Sequence, residues 1–273
     1  MTEHTPDWYP DPGGTHELRY FDGTNWTDHV SDHGRQSQDP LVNAGAVPTT
    51  GMTADKIQSQ VADKAGVQPS FAGGGTMFTE PVLVVNQKAK ILEINTEYAV
   101  YDQHGTQIGA IRQVGQSSLK KAARVLTSLD QFMTHSLQLV DTAGVVQLTV
   151  TRPAKFMKSK VQVADAAGNP VGTIVQKNVI GKIRFSLQTA AGEIGTLNGE
   201  NWRAWNFNLQ DNQGNEVARI TKTWEGLAKT MFTTADNYVL QIHRPLEDPL
   251  RSLVVASAVS VDLALKQDSR GLG

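Results

Sequence analysis

The chain has 273 residues, room for one or two domains, and its 39% hydrophobic content is enough for a folded core. It contains no cysteine, which excludes disulfides and thiolate metal sites and fits a reducing compartment. The formal charge of −2 hides an asymmetry: residues 1–76 hold four Lys/Arg against ten Asp/Glu, and residues 77–273 hold twenty-one against seventeen.

The opening MTEHTPDWYP has neither a basic start nor an apolar stretch, so no secretory signal is expected. Residues 1–31 read as a small aromatic β module. Asp22-Gly23 is a strong hairpin turn, and Leu18, Tyr20 and Trp26 lie on β-prone runs beside it. A piece this small has little core of its own, so its rings are expected to pack on one another. The other reading is an aromatic groove for a proline-rich peptide, built from Trp8, Tyr20 and Trp26. Four histidines (His4, His16, His29 and His33) fall near this module, but their spacing matches no zinc motif. The stretch DWYPDPGGTHELRYFDGTNWTDHV resembles a short bacterial module of unknown function whose signature runs WYPDP, RYWDG and a final Trp, with Phe21 here in place of its second Trp.

Residues 32–76 are rich in Gly, Ser, Gln, Asp, Thr and Pro and read as a flexible linker, with a transient helix at most over Thr53 to Ala65. The run Ala72-Gly73-Gly74-Gly75-Thr76 lacks the Lys-Ser/Thr of a phosphate-binding loop.

From residue 77 to 268 one pattern recurs: a β-prone run, a turn led by Asp or Thr and holding Gly, then a second β-prone run. It is read at 98–111, 137–150, 161–174, 185–197 and 207–220. With further strands near 81–85 and 238–242 this gives about twelve antiparallel strands, a set that closes into a barrel or a propeller-like array. Residues 249–267, PLRSLVVASAVSVDLALKQ, form a helix apolar on nearly every side, which is wrapped by protein or spans a membrane. It is too short and too often broken by Ser and Asp262 to span. The expected fold is mainly β: a barrel enclosing this C-terminal helix.

Residues 117–133 break the β rhythm. Leu119, Ala122, Val125, Leu126, Leu129, Phe132 and Met133 share one helical face, while Lys120, Lys121, Arg124, Thr127 and Gln131 fall on the other. The segment reads either as a cap on one barrel end or as a basic helix on a membrane surface.

Several blocks then carry a likeness to a known family: LVVNQKAKILEINTEYAVYDQHG, FMTHSLQLVDTAGVVQLTVTRP, KVQVADAAGNPVGTIVQ, KIRFSLQTAAGEIGTL and TTADNYVLQIHRPLEDPLRSLVVASAVSVDLAL. Residues 80–266 resemble phospholipid scramblase-related proteins of the tubby-like superfamily. The resemblance implies a twelve-stranded barrel around a buried helix, and a link to phospholipid translocation. Eukaryotic members carry cysteine clusters for lipid anchors. Here the corresponding places hold the basic segment 117–133 and Lys155, Lys158 and Lys160. The family's calcium stretch is represented by Thr234-Ala235-Asp236-Asn237, which leaves Asp236 and Asn237 as candidate ligands, or as turn formers before the last strand.

No catalytic motif of the Gly-x-Ser-x-Gly, His-Glu-x-x-His, Walker or dinucleotide-binding kind is present. The expected function is therefore non-enzymatic. A peripheral lipid-surface protein would meet anionic headgroups through Lys120, Lys121, Arg124, Lys155, Lys158 and Lys160, in the cytoplasm at the inner face of the membrane. The alternative is a soluble protein-interaction scaffold. Nucleic-acid binding is not expected, and no cofactor is required beyond the candidate calcium.

Overall fold

A computed structural model describes residues 5–11, 16–23, 26–38, 52–68, 73–87, 97–114, 135–153, 159–178, 181–200, 206–223 and 237–268. A four-stranded sheet comes first, formed in order by β1 (Asp7–Pro10), β2 (Leu18–Phe21), β3 (Trp26–Asp32) and β4 (Arg35–Gln38). The sheet runs to Gln38, past the residue 31 at which the sequence pattern ends the module. β4, RQSQ, has no apolar residue to announce a strand, and the turn before it relies on positive φ at His33 and Gly34. On one face Arg19 and Val30 are buried, and Arg19 is anchored by the equally buried Asp11 at 2.7 Å.

Twelve strands then close into an antiparallel barrel in strict chain order: β5 (Val82–Gln87), β6 (Glu97–Tyr101), β7 (Gln107–Val114), β8 (His135–Asp141), β9 (Val146–Arg152), β10 (Lys160–Asp165), β11 (Pro170–Gln176), β12 (Arg184–Thr189), β13 (Gly192–Gly199), β14 (Asn206–Asp211), β15 (Glu216–Thr223) and β16 (Asn237–Ile242), which pairs back onto β5. The five expected hairpins are β6–β7 through β14–β15. Four share one device. Asp102, Asp141, Asp165 and Asp211 each accept, on Oδ1, the backbone N–H groups two and four residues ahead. The glycine three residues after each Asp sits at φ between 80° and 90°, a region that favours residues without Cβ.

Alternation fixes the two faces of the wall. Leu148 and Val150 on β9, Val161 and Val163 on β10, and Phe185 and Leu187 on β12 point inward and are fully buried. The lumen is filled by α2 (Leu250–Asp268), whose residues from Leu253 to Val261 are at most 2% exposed on every side. That fits its composition, since a helix apolar all round needs a protein sleeve. Among the described residues no helix is long and apolar enough to cross a membrane. Two of the helix serines keep their hydroxyls satisfied within the helix: Ser257 Oγ donates to the Leu253 carbonyl and Ser260 Oγ to that of Ala256, while Ser252 Oγ donates to the Asp248 carboxylate just before it.

The outer wall is polar over much of its circumference, with cross-strand pairs such as Ser136–Thr151, Arg112–Gln138 and Asn198–Asn208. On β5, β6 and β16 it is apolar instead, through Val82, Val84, Ala99, Tyr101 and Val239. This patch is covered by α1 (Ala54–Ser59), continued by a π-helical turn over residues 60–64. Ile57 and Val61 are fully buried on the patch and Val67 nearly so. The segment Thr53 to Ala65, read from sequence as transiently helical within a linker, is thus a helix packed on the barrel wall, because Ile57 and Val61 find an apolar patch there.

Candidate functional site

An up-and-down barrel has two unlike rims, and the strand order assigns every connection to one of them. The turn rim carries the five hairpin turns and residues 243–249, through which the chain enters α2. By sequence the turns at 102–106, 141–145, 165–169, 189–192 and 211–215, with 243–249, hold six carboxylates against one arginine. The loop rim lies at the opposite strand ends, which are joined by residues 88–96, 115–134, 153–159, 177–183, 200–205 and 224–236. Those six connections hold eleven Lys/Arg against five Asp/Glu. By sequence, then, the connections that join the two sets of strand ends differ in the sign of their charge.

Three carboxylates of the turn rim, Asp165, Asp211 and Asp248, are held below their ordinary values. Hydrogen bonds from the Asn169 side chain and from backbone N–H groups hold the Asp165 carboxyl below its ordinary value. Partial burial pushes Asp211 up, but hydrogen bonds from Asn215, Gln213 and Arg244 outweigh it and leave it lowered. Asp248 is lowered in the same way, burial being outweighed by Ser252 and Arg251. Arg244 ties this rim together through a 3.0 Å contact with Asp211.

At the loop rim, Lys160 heads β10 and is exposed, Arg184 heads β12 and is exposed, and Lys177 pairs with Glu193 at 2.7 Å. Arg152 lies on the lumen side of β9 and is 4% exposed, and Lys222 stands over the Tyr238 ring at 5.8 Å. Of the predicted headgroup residues, Lys160 alone is described. Lys120, Lys121, Arg124, Lys155 and Lys158 lie outside the described residues, although the strands that flank them, β7 with β8 and β9 with β10, all end at this one rim. Sequence reasoning passed over Lys177 and Lys182, which share the rim. The signal was available in the phase of the hairpins, since every connection after an even number of strand crossings returns to the same end.

Asp236 lies outside the described residues. Asn237 opens β16 at 3% exposure, on the same outward face as Val239 and opposite Asn86. Among the described residues no three His, Asp or Glu side chains are grouped so as to hold a metal ion. In the N-terminal sheet, Trp8 and Tyr20 face each other across β1 and β2, half-buried, with ring centroids 5.5 Å apart in an edge-to-face arrangement. Trp26 lies on β3 and its side chain is outside the described set.

Residues 69–265 match the family described as Scramblase, which takes in the whole barrel and most of α2. The chain belongs to the scramblase family. Residues 6–39 separately match a protein of unknown function (DUF2510). Within the scramblase family, the chain is similar to a phospholipid scramblase family protein of Schizosaccharomyces pombe. The two are 24% identical over 195 residues, which is 64% of this chain and 50% of the relative, so the chain spans about half of that relative's length. It is also similar to altered inheritance rate of mitochondria protein 25 of Saccharomyces cerevisiae, at 21% identity over 68% of this chain and 71% of the relative. A solved structure of a protein from Arabidopsis thaliana aligns with a TM-score of 0.41 and 12% identity, over 70% of this chain and 99% of that one.

Proposed function

We propose that this scramblase-family chain is a peripheral phospholipid-binding protein that seats its loop rim on anionic headgroups. The observation that carries the reading is the strand order, which assigns connections of opposite charge, counted by sequence, to the two sets of strand ends. A surface of negative potential attracts the rim with eleven cations and repels the rim with six carboxylates, so the field orients the barrel before contact. Each Lys or Arg held near such a surface contributes on the order of 1 kcal/mol. Lys120, Lys121, Arg124, Lys155, Lys158 and Lys160 are the proposed headgroup contacts. The reading is of binding and not of catalysis, and it places the protein on the cytoplasmic face of a membrane. A lumen filled by α2 offers lipid no path through the barrel, so any link to phospholipid translocation would run along its outside.

The test is co-sedimentation of the full chain with anionic and with neutral vesicles, across a salt series, with and without calcium. Binding to anionic vesicles alone, weakening with salt, supports the reading. Absence of binding at every salt concentration overturns it. A requirement for calcium would add Asp236 and Asn237 to the proposed site. The Trp8–Tyr20 pair favours a second, separate reading of the N-terminal sheet as a proline-rich peptide site. Titration of a labelled polyproline peptide against the wild-type chain and Trp8→Ala tests it.

A further inference from the structure

We propose that residues 52–68 are a displaceable strap over a helix-docking groove on the outer wall of the barrel. The groove's occupant in trans is an amphipathic helix of a partner protein, with aliphatic residues four apart and an uncharged amide between them. The segment falls between the two family matches, residues 6–39 and 69–265, so neither domain accounts for it. It covers the apolar patch Val82, Val84, Ala99, Tyr101 and Val239, on a wall that carries polar ladders elsewhere. The chemistry of the occupant is read from the one already seated there: Ile57 and Val61 enter the patch and Gln60 lies between them, at 1% exposure.

The seat is imperfect, in ways that favour exchange. Thr53, at the N-cap position, makes no side-chain capping bond. The helix is short for independent stability and changes to a rare π-helical turn where it crosses the groove. Gln60 Oε1 accepts from Thr223 Oγ1 at 3.1 Å, but its buried Nε2 has no hydrogen-bond partner among the described residues. On the floor beside it, Asn86 and Asn237 face each other across β5 and β16 at 1% and 3% exposure. Both amide atoms of Asn86 and Oδ1 of Asn237 likewise lack partners among the described residues. Buried amides left unpaired disfavour the closed state, and a helix that satisfied them would bind the groove better than the strap does.

The test uses the full chain and a labelled synthetic peptide of residues 52–68. In the wild type the tethered strap competes at high effective concentration, so the peptide is expected to bind Ile57→Asp/Val61→Asp at least about tenfold more tightly than wild type. Equal binding to both, or no binding to a variant whose barrel melts as the wild type does, overturns the proposal. Self-association of the variant through the vacated groove overturns the assignment to a partner protein, in favour of a second copy. Should the variant fail to fold, amide exchange of the native chain decides. Residues 54–64 are expected to exchange at least about 100-fold faster than β12 and β13 through local opening, and equal protection overturns the strap.

Discussion

A single carboxylate sets each of four hairpins. Asp102 is the most enclosed of them, at 1% exposure, and accepts the N–H groups of His104 and Thr106 at 2.9 and 2.8 Å. Asp102→Ala leaves two backbone donors unpaired and is expected to cost about 1–3 kcal/mol, whereas Asp102→Asn keeps an acceptor and costs less. Urea unfolding of the three proteins separates these outcomes. Two of these carboxylates, Asp165 and Asp211, contribute to the acid limb of stability. Asp165 and Asp211 have folded-state values below the ordinary 3.8, so in the unfolded chain they bind protons more readily. Their stabilising contribution is complete above that ordinary value and is lost as pH falls through the lower folded values. The urea midpoint is expected to drop on acidification below about pH 4, with a shallower drop in Asp165→Asn/Asp211→Asn. These turns were legible because Asp followed three residues later by Gly is a local code: the side chain bonds its own turn, and no distant residue has to be known.

At the scale of elements, α2 and the strap show what sequence can and cannot reveal. An apolar surface on every side of α2 demands burial whatever surrounds it, so the segment declared both its helicity and its place in the lumen. In the strap, burial is carried by three aliphatic side chains, Ile57, Val61 and Val67, among polar neighbours. Its counterpart, the row Val82, Val84 and Val239, interleaves with the inward-facing Leu83, Val85 and Leu240, so these strands read as continuous apolar runs. Such runs tell of burial on both faces without naming the cover. The predicted headgroup residues were legible as charge, but that the connections holding them join strand ends on one side of the barrel followed only from the phase of the twelve strands. Within α2, side chains of equal burial are expected to differ in worth. Leu253→Ala removes contacts in a closed core and is expected to cost about 2–5 kcal/mol. Ser257→Ala removes a hydroxyl bonded only within its own helix, and is expected to stay within about 0.5 kcal/mol. Thermal unfolding of both variants checks the contrast, and equal losses would mean that the helix serines contact the wall in a way this geometry does not provide.

For the whole molecule, the proposed seating makes orientation a measurable property. If binding were a matter of net charge alone, removing any three cations, or any three carboxylates, would shift affinity by similar amounts in opposite directions. Segregation to two ends roughly 20 Å apart, the length of a six-residue strand, breaks that symmetry, because the Debye length at physiological salt is about 8 Å. Charges on the far rim are screened from a surface that touches the near one. Lys155→Gln/Lys158→Gln/Lys160→Gln is therefore expected to weaken binding to anionic vesicles by about 100-fold, from three cations worth on the order of 1 kcal/mol each. Asp141→Asn/Asp165→Asn/Asp211→Asn changes the net charge by the same three units at the other end and is expected to alter binding less than about threefold at 150 mM salt. Vesicle co-sedimentation of the two triple variants beside wild type reads both. Lowering the salt to 10 mM lengthens the Debye length to about 30 Å and should bring the turn-rim variant above wild type, as its repulsion reaches the surface. Equal and opposite shifts at 150 mM would show that the barrel lies on its side or tumbles at the surface, and the oriented reading would fail while lipid binding itself stood.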